Sequence, residues 1–293
     1  MRVLLAVDGS DDARAAGAWL AQHPLPTGSR LRVVTAVSIP PSALDIPTVR
    51  EFNTALREQA REAAEAARAQ LAPGFAQSEV LVREGDAREV ILTAAETWPA
   101  DLVVMGARGL GAVAGLLLGS VSLGVARHAP CSVLVVKPGA GVARGIVIGI
   151  DGSPPAADAA RFVARLPLDP TAVVRLIGAV ELPPIPATTP RFARGLVQEA
   201  RMQIVNERKA MLQQALASAA EPLSEIVKNV ERQVLLGPPA DVLLAAGAKP
   251  DIGLVVIGAR GLGTLGRLLL GSVSENVLRH ADRPVLIVKG ATS

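Results

Sequence analysis

Short apolar runs alternate with longer amphipathic stretches from one end of the chain to the other. Residues 2–7 (RVLLAV), 31–37 (LRVVTAV), 101–106 (DLVVMG) and 131–137 (CSVLVVK) carry apolar side chains at successive positions. That pattern belongs to strands buried on both faces. Residues 78–84 (SEVLVRE) read as a further strand. Between them, 11–23 places Ala15, Ala16, Trp19 and Leu20 at helical spacing, and 48–71 does the same with Leu56, Ala60, Ala63, Ala67 and Leu71. Segments 86–97 and 119–127 read as shorter helices. Strands alternating with helices predict an α/β fold whose parallel sheet is joined by right-handed crossovers.

The pattern then repeats. AVDGS at 6–10 returns as GIDGS at 149–153, MGARGLG at 105–111 as IGARGLG at 257–263, and LLLGSVS at 116–122 unchanged at 268–274. Across 106–137 aligned to 258–289, 21 of 32 positions are identical. The offset is 143 residues at Asp8/Asp151 but 152 at Gly85/Gly237 and at Gly119/Gly271, so a net nine-residue insertion lies between about 180 and 237. A longer second helix, from roughly 191 to 220, is expected there. The short linker KPGAGVAR (137–144) divides the chain into domains 1–140 and 141–293, each an open parallel sheet of five strands.

Composition excludes several classes. Of 293 residues half are apolar and 19% charged, which rules out a wholly disordered chain. With two Trp, four Phe and no Tyr, there is no aromatic platform for stacking nucleic-acid bases. A net charge of +3 without a basic cluster argues against a polyanion partner. One cysteine, Cys131, excludes a disulfide framework and a cysteine-rich metal site. No apolar run approaches the ~18 residues of a membrane span. The N-terminus shows no signal-peptide pattern, so the expectation is a cytoplasmic protein.

The informative segment is Gly106-x2-Gly109-x9-Gly119-Ser120, repeated as Gly258-x2-Gly261-x9-Gly271-Ser272. It leaves the carboxyl end of an apolar strand, where open α/β sheets bind ligands. Glycines admit positive φ and close backbone approach, and Gly-Ser opens a helix whose first N–H groups favour an anion. Ser120 and Ser122 add hydroxyl donors. The alternative is that the glycines only turn the chain and Ser120 only caps a helix. Gly261–Gly266 also matches GxGxxG, but it follows the fourth strand of its unit and has no acid ~20 residues on, so the dinucleotide fingerprint is rejected. Gly-Lys-Ser/Thr occurs nowhere, which removes the P-loop. Asp8 and Asp151 end the first strand of each repeat, placed either for ligand binding or for a local Asp-Gly-Ser turn.

Strand-Asp-Gly-Ser, Gly85-Asp86 and the long glycine motif before the last strand together resemble the universal stress protein family, over essentially the whole chain as two tandem domains. The resemblance implies a Rossmann-like fold of the adenine nucleotide alpha hydrolase type and one ATP per domain, with Mg²⁺ across its phosphates. The phosphate residues it implies are Gly106, Gly109, Gly119, Ser120, Val121 and Ser122, then Gly258, Gly261, Gly271, Ser272, Val273 and Ser274. On the base and ribose side it implies Asp8 with Val37, and Asp151 with Val180, flanked by the strand ends Ala6, Val7, Met105, Gly149, Ile150 and Ile257. Arg108 and Arg260 are the charged candidates near the phosphates, or else solvent-exposed loop arginines. The resemblance also implies pairing through the fifth strands, Val133–Val136 and Val285–Val288, between the two halves or between chains; the same apolar residues also suit an ordinary interior strand.

Departures between repeats are Asp86 against Pro238 and Ala6 against Gly149, the latter expected to permit a tighter approach. Leu116 and Leu268 leave no basic residue next to Gly119 or Gly271, and Arg267 occurs in repeat two alone. His128 and His280 end helices, where a cation complements the dipole. No catalytic constellation is shared by the repeats. The expected function is a nucleotide-sensing regulator; the alternatives are a nucleotide-free dimerising scaffold and an ATP-hydrolysing or adenylyl-transferring enzyme.

Overall fold

The computed structural model describes residues 1–39, 47–111, 117–137, 144–182, 184–185, 190–261 and 270–290. Most of the linker, Leu116, Arg267, Leu268 and the interior of the GxGxxG match lie outside them. The first half runs β1 (Arg2–Ala6), α1 (Asp11–Gln22), β2 (Arg30–Val37), α2 (Pro47–Leu71), β3 (Gln77–Glu84), α3 (Ala87–Thr97), β4 (Leu102–Gly106), α4 (Ser120–His128) and β5 (Ser132–Val136). The second half repeats it: β6 (Gly145–Gly149), α5 (Pro154–Ala164), β7 (Val173–Val180), α6 (Arg194–Ser224), β8 (Asn229–Leu236), α7 (Pro239–Gly247), β9 (Ile252–Gly258), α8 (Ser272–His280) and β10 (Val285–Val288). Much of the insertion is helix, α6 having 31 residues against 25 in α2.

The two five-stranded sheets are joined edge to edge into one ten-stranded sheet, β3-β2-β1-β4-β5-β10-β9-β6-β7-β8. Every pairing is parallel except the central one, where β5 and β10 run antiparallel with Leu134 opposite Leu286. The fifth strands therefore pair within the chain. Their residues are buried throughout, and unpaired they would expose an apolar edge open to strand addition. The outer strands β3 and β8 carry Glu79, Glu84, Glu231 and Arg232 and stand at the sheet's ends.

Each sheet face is covered by one apolar layer that continues across the central pair. One layer joins Leu5 and Trp19 to Leu134, Leu286 and Phe162; the other joins Ile91 and Val125 to Val133, Val285 and Leu278. The strands alternate their side chains between two layers that are both apolar, which is why the sequence shows continuous runs.

Helix starts differ in kind. Ser10, Asp86 and Ser153 cap α1, α3 and α5, each accepting from a backbone N–H three residues on. In contrast, α4 and α8 begin at Gly119 and Gly271 with no side chain on their first N–H groups.

Candidate functional site

At the carboxyl end of β1 the chain turns through Gly9, whose φ of +83° is left-handed and suits glycine. Asp8 uses both carboxylate oxygens: Oδ1 accepts from Ser10 N at 3.0 Å and Oδ2 from Leu110 N at 2.9 Å. The first bond is the local Asp-Gly-Ser turn; the second ties the end of β1 to the glycine loop after β4. This tether requires Gly109, since a β-carbon there would collide with Asp8 Oδ2. Gly106 is required for another reason, because its β-carbon would lie 2.5 Å from the Asp12 carbonyl carbon, where α1 rests on the end of β4. The second half repeats both constraints, with Gly261 against Asp151 Oδ2 and Gly258 against Pro155.

Further bonds fix the start of α4. Gly119 N donates to Ala107 O at 2.8 Å, and buried Ser122 donates its hydroxyl to Gly106 O at 2.9 Å. Gly271 and Ser274 do the same at Ala259 O and Gly258 O, each at 2.8 Å. The hydroxyls of Ser122 and Ser274 thus clamp the loop. The N–H groups of Ser120 and Val121, and of Ser272 and Val273, have no helical carbonyl to meet and open on a cavity.

There is one such cavity in each half, of about 460 Å³ in the first and about 270 Å³ in the second. In the first it brings together Ala6, Val7, Asp8, Met105, Gly106, Arg108, Gly109, Gly119, Ser120, Val121 and Ser122. In the second it brings together Gly149, Ile150, Asp151, Ile257, Gly258, Arg260, Gly261, Gly271, Ser272, Val273 and Ser274. Val37 and Val180 do not line them; their carbonyls accept from Gly85 N and Gly237 N, and Val180 packs on Val205 and Leu212 of α6. The strand residues that do line the cavities are Val34 and Ala36, and Ile177 and Ala179, with Ile91 and Leu243 from α3 and α7. Sequence reading misses these apolar walls, although the period of two along a strand relates Val34 to Ala36.

Three further residues have particular roles. Arg108 is held by Asp12, which is only 5% exposed: Nε lies 3.1 Å from Oδ2, and the Arg108 backbone N–H donates to the same oxygen at 3.0 Å. These bonds raise the guanidinium pKa, and half two has Pro155 in place of Asp12. Gly149 lines the second cavity, and a β-carbon there would stand 3.0 and 3.1 Å from the side chains of Leu243 and Ile257, which line it as well. Pro238 removes the Asp86 cap, yet Gly237 turns as Gly85 does, with φ of +138° against +136°.

Elsewhere, the Nδ1 atoms of His128 and His280 lie 2.9 Å from the carbonyls of Gly124 and Asn276, one turn back in their own helices. Burial pushes the Cys131 thiol up to about 11. Among the described residues there is no group of three side chains able to hold a metal, and no helix is long and apolar enough to cross a membrane.

The model of the universal stress protein family matches the chain twice, over residues 1–137 and 143–289. The chain belongs to the universal stress protein family. It has the tandem form, the two matches coinciding with the two halves of the ten-stranded sheet. A universal stress protein of Mycolicibacterium smegmatis is 30% identical over 98% of this chain and 96% of its own length. One from Thermus aquaticus is 42% identical over 46% of this chain and 97% of its own, a single-domain match. The crystal structure of a universal stress protein from Archaeoglobus fulgidus superposes with a TM-score of 0.64 at 20% identity, covering 98% of this chain and 96% of the other. That likeness extends the agreement to the whole tandem fold.

Proposed function

We propose that each half of this universal stress protein binds one adenine nucleotide, as ATP with Mg²⁺, and that the protein acts in the cytoplasm as a regulator whose signal is the occupancy of the two sites. The observation carrying the reading is the uncapped start of α4 and α8. Each helix opens with a glycine, and its free N–H groups meet the cavity lined by its glycine loop. Partial positive charge and donors without partners favour phosphate there. The apolar walls at Val34, Ala36 and Ile91, and at Ile177, Ala179 and Leu243, suit a flat base, with Asp8 or Asp151 at the rim as a hydrogen-bond acceptor. Mg²⁺ would be carried chiefly by the phosphates, since no set of three carboxylate or imidazole groups converges among the described residues.

The test is a nucleotide count on freshly purified protein, followed by thermal unfolding against ATP·Mg²⁺. At ~100-fold excess over Kd, each occupied site stabilises the fold by about 2.7 kcal/mol. About two nucleotides per chain, or a shift lost in Gly119→Val with Gly271→Val, supports the reading. No nucleotide and no shift at millimolar ATP overturns it and leaves a ten-stranded scaffold.

A further inference from the structure

The antiparallel β5–β10 pair sets two lysines at identical places in the repeat, Lys137 after β5 and Lys289 after β10, against the opposite half. Lys137 is 5% exposed. Its Nζ donates to Leu117 O at 3.2 Å, inside the glycine loop of the first site, and reaches Arg279 O at 3.5 Å in the last turn of α8. Lys289 makes the reciprocal crossing, donating to Arg127 O at 3.1 Å and Ala129 O at 2.6 Å, at the end of α4. Both cations thus meet a helix C-terminus, where positive charge is favoured.

A third link joins the same helices. Arg127, in the last turn of α4, grips the Glu275 carboxylate through Nη2 at 2.7 and 2.8 Å and Nε at 3.2 Å. Glu275 stands in the first turn of α8, directly after Ser272–Ser274, and Arg279 holds it from the other side at 2.8 Å. The first repeat has Leu123 at the equivalent position. Each of these helices begins at one candidate site and ends on groups from the other half.

We propose that the two nucleotide sites are coupled through this seam, with Lys137 as the positioning residue that links the glycine loop of the first site to the helix opening the second. The proposal rests on the nucleotide reading above. A ligand on the N–H groups of Ser120 and Val121 that shifts Leu117, three residues before Ser120, redistributes Lys137 between the Leu117 and Arg279 carbonyls. Over nine residues α8 acts as a rigid rod, so a change at its last turn reaches Ser272. Coupling of this kind is reciprocal for binding, and each site must alter the affinity of the other by the same factor.

The experiment is isothermal titration with ATP·Mg²⁺ on the full chain, with and without Gly119→Val to silence the first site, in wild-type and Lys137→Met backgrounds. Methionine keeps the apolar stem and removes the donors. The affinity of the second site is expected to change about five-fold or more with the state of the first in the wild type, and by less than about two-fold in Lys137→Met. Equal ratios in both backgrounds, or two nucleotides bound independently in the wild type, overturn the coupling while leaving nucleotide binding intact. Amide hydrogen exchange provides a second measurement that needs no ligand. Gly119→Val, whose β-carbon would stand 3.3 Å from Ala107 O, should change protection in 272–281 when Lys137 is present and not in Gly119→Val with Lys137→Met. Unchanged protection in both overturns the link even if no nucleotide binds.

Discussion

Replacing Gly271 by Asp separates a phosphate site from a helix start more sharply than any deletion. Gly271 is the N-cap of α8 with φ −67° and ψ 155°, an extended conformation open to any residue. A β-carbon there meets Arg260 Cα at 3.5 Å and Ala259 O at 3.6 Å, ordinary contacts. Nothing local therefore demands glycine. An aspartate would put a carboxylate on the N–H groups now open to the cavity. Over glycine such a cap gains only a few tenths of a kcal/mol, and its charge against the helix dipole adds about 0.3–1 kcal/mol. The ligand-free protein should melt higher by about 1–3 °C. For a nucleotide the effect reverses, since a phosphate charge about 4 Å from the new carboxylate is repelled by about 4 kcal/mol at an effective dielectric of 20. Binding at the second site should weaken by more than a hundredfold. Thermal unfolding with and without ATP·Mg²⁺, alongside a count of released nucleotide, reads both effects. The expected result is a raised melting point without ligand, one nucleotide per chain instead of two, and about half the ligand-induced stabilisation. Two nucleotides bound as in the wild type would refute the assignment of the α8 N-terminus to phosphate.

Asp8→Ala removes the acceptor for both Ser10 N and Leu110 N. Leu110 is 74% exposed, so water replaces part of what is lost, and the cost should be about 1–2 kcal/mol in urea unfolding together with loss of the first-site nucleotide. Full nucleotide stoichiometry in this variant would reduce Asp8 to a loop tether. Stability should rise with pH between about 8 and 9: burial lowers Lys137 and Lys289 from 10.5 to about 8, so the unfolded chain binds more protons than the native one across that range. Above about 9 the raised Cys131 thiol acts in the opposite sense, because the native state then holds a proton that the unfolded chain releases. Urea midpoints measured from pH 7.5 to 9 check the sign, and Lys137→Met with Lys289→Met should flatten the rise. Gly106→Ala should cost about 1–3 kcal/mol, its β-carbon meeting backbone at 2.5 Å, whereas Gly17→Ala in α1 meets nothing within 4 Å and should stabilise by about 0.5–1 kcal/mol. The same denaturation series tests both.

What the sequence makes legible follows from which signals are local. Strand and helix alternation and the glycine spacing each lie within a short window, and the repeat displays them twice; the loop residues Gly106, Gly109, Gly119 and Ser120 follow from that spacing, whereas Ala6, Val7 and Met105 come with the family resemblance, and all of them line the first cavity. The position on β2 and β7 is not legible for a physical reason. A strand buried on both faces carries no polar alternation by which hydropathy could pick its ligand-facing positions; Val37 and Val180 come with the family resemblance, and it is their neighbours Ala36 and Ala179 that line the cavities. The Asp12–Arg108 pair spans 96 residues and involves an acid in the first turn of α1, a place where acids are ordinary N-terminal residues. The fifth-strand pairing is not legible in sequence, because an apolar strand shows only that it is covered and not whether by its own sheet, by the other half or by another chain.

The way the halves differ bears on what the glycine loops are for. Where half two departs, the local structure adjusts in two places: Leu243 and Ile257 stand close against Gly149, and Pro238 keeps the turn without the Asp86 cap; Pro155 simply removes the acid that holds Arg108 in half one. The cores and turns therefore tolerate change when a neighbour adjusts. Steric need accounts for glycine at 106, 109, 258 and 261, each of which would strike a backbone or a carboxylate. It does not account for Gly271, and only weakly for Gly119, although both helices would gain from a capping side chain. A scaffold has no use for an uncapped helix start facing a cavity in each half. On the reading proposed above, an anion would supply the missing acceptors and turn a small local deficit in stability into binding affinity.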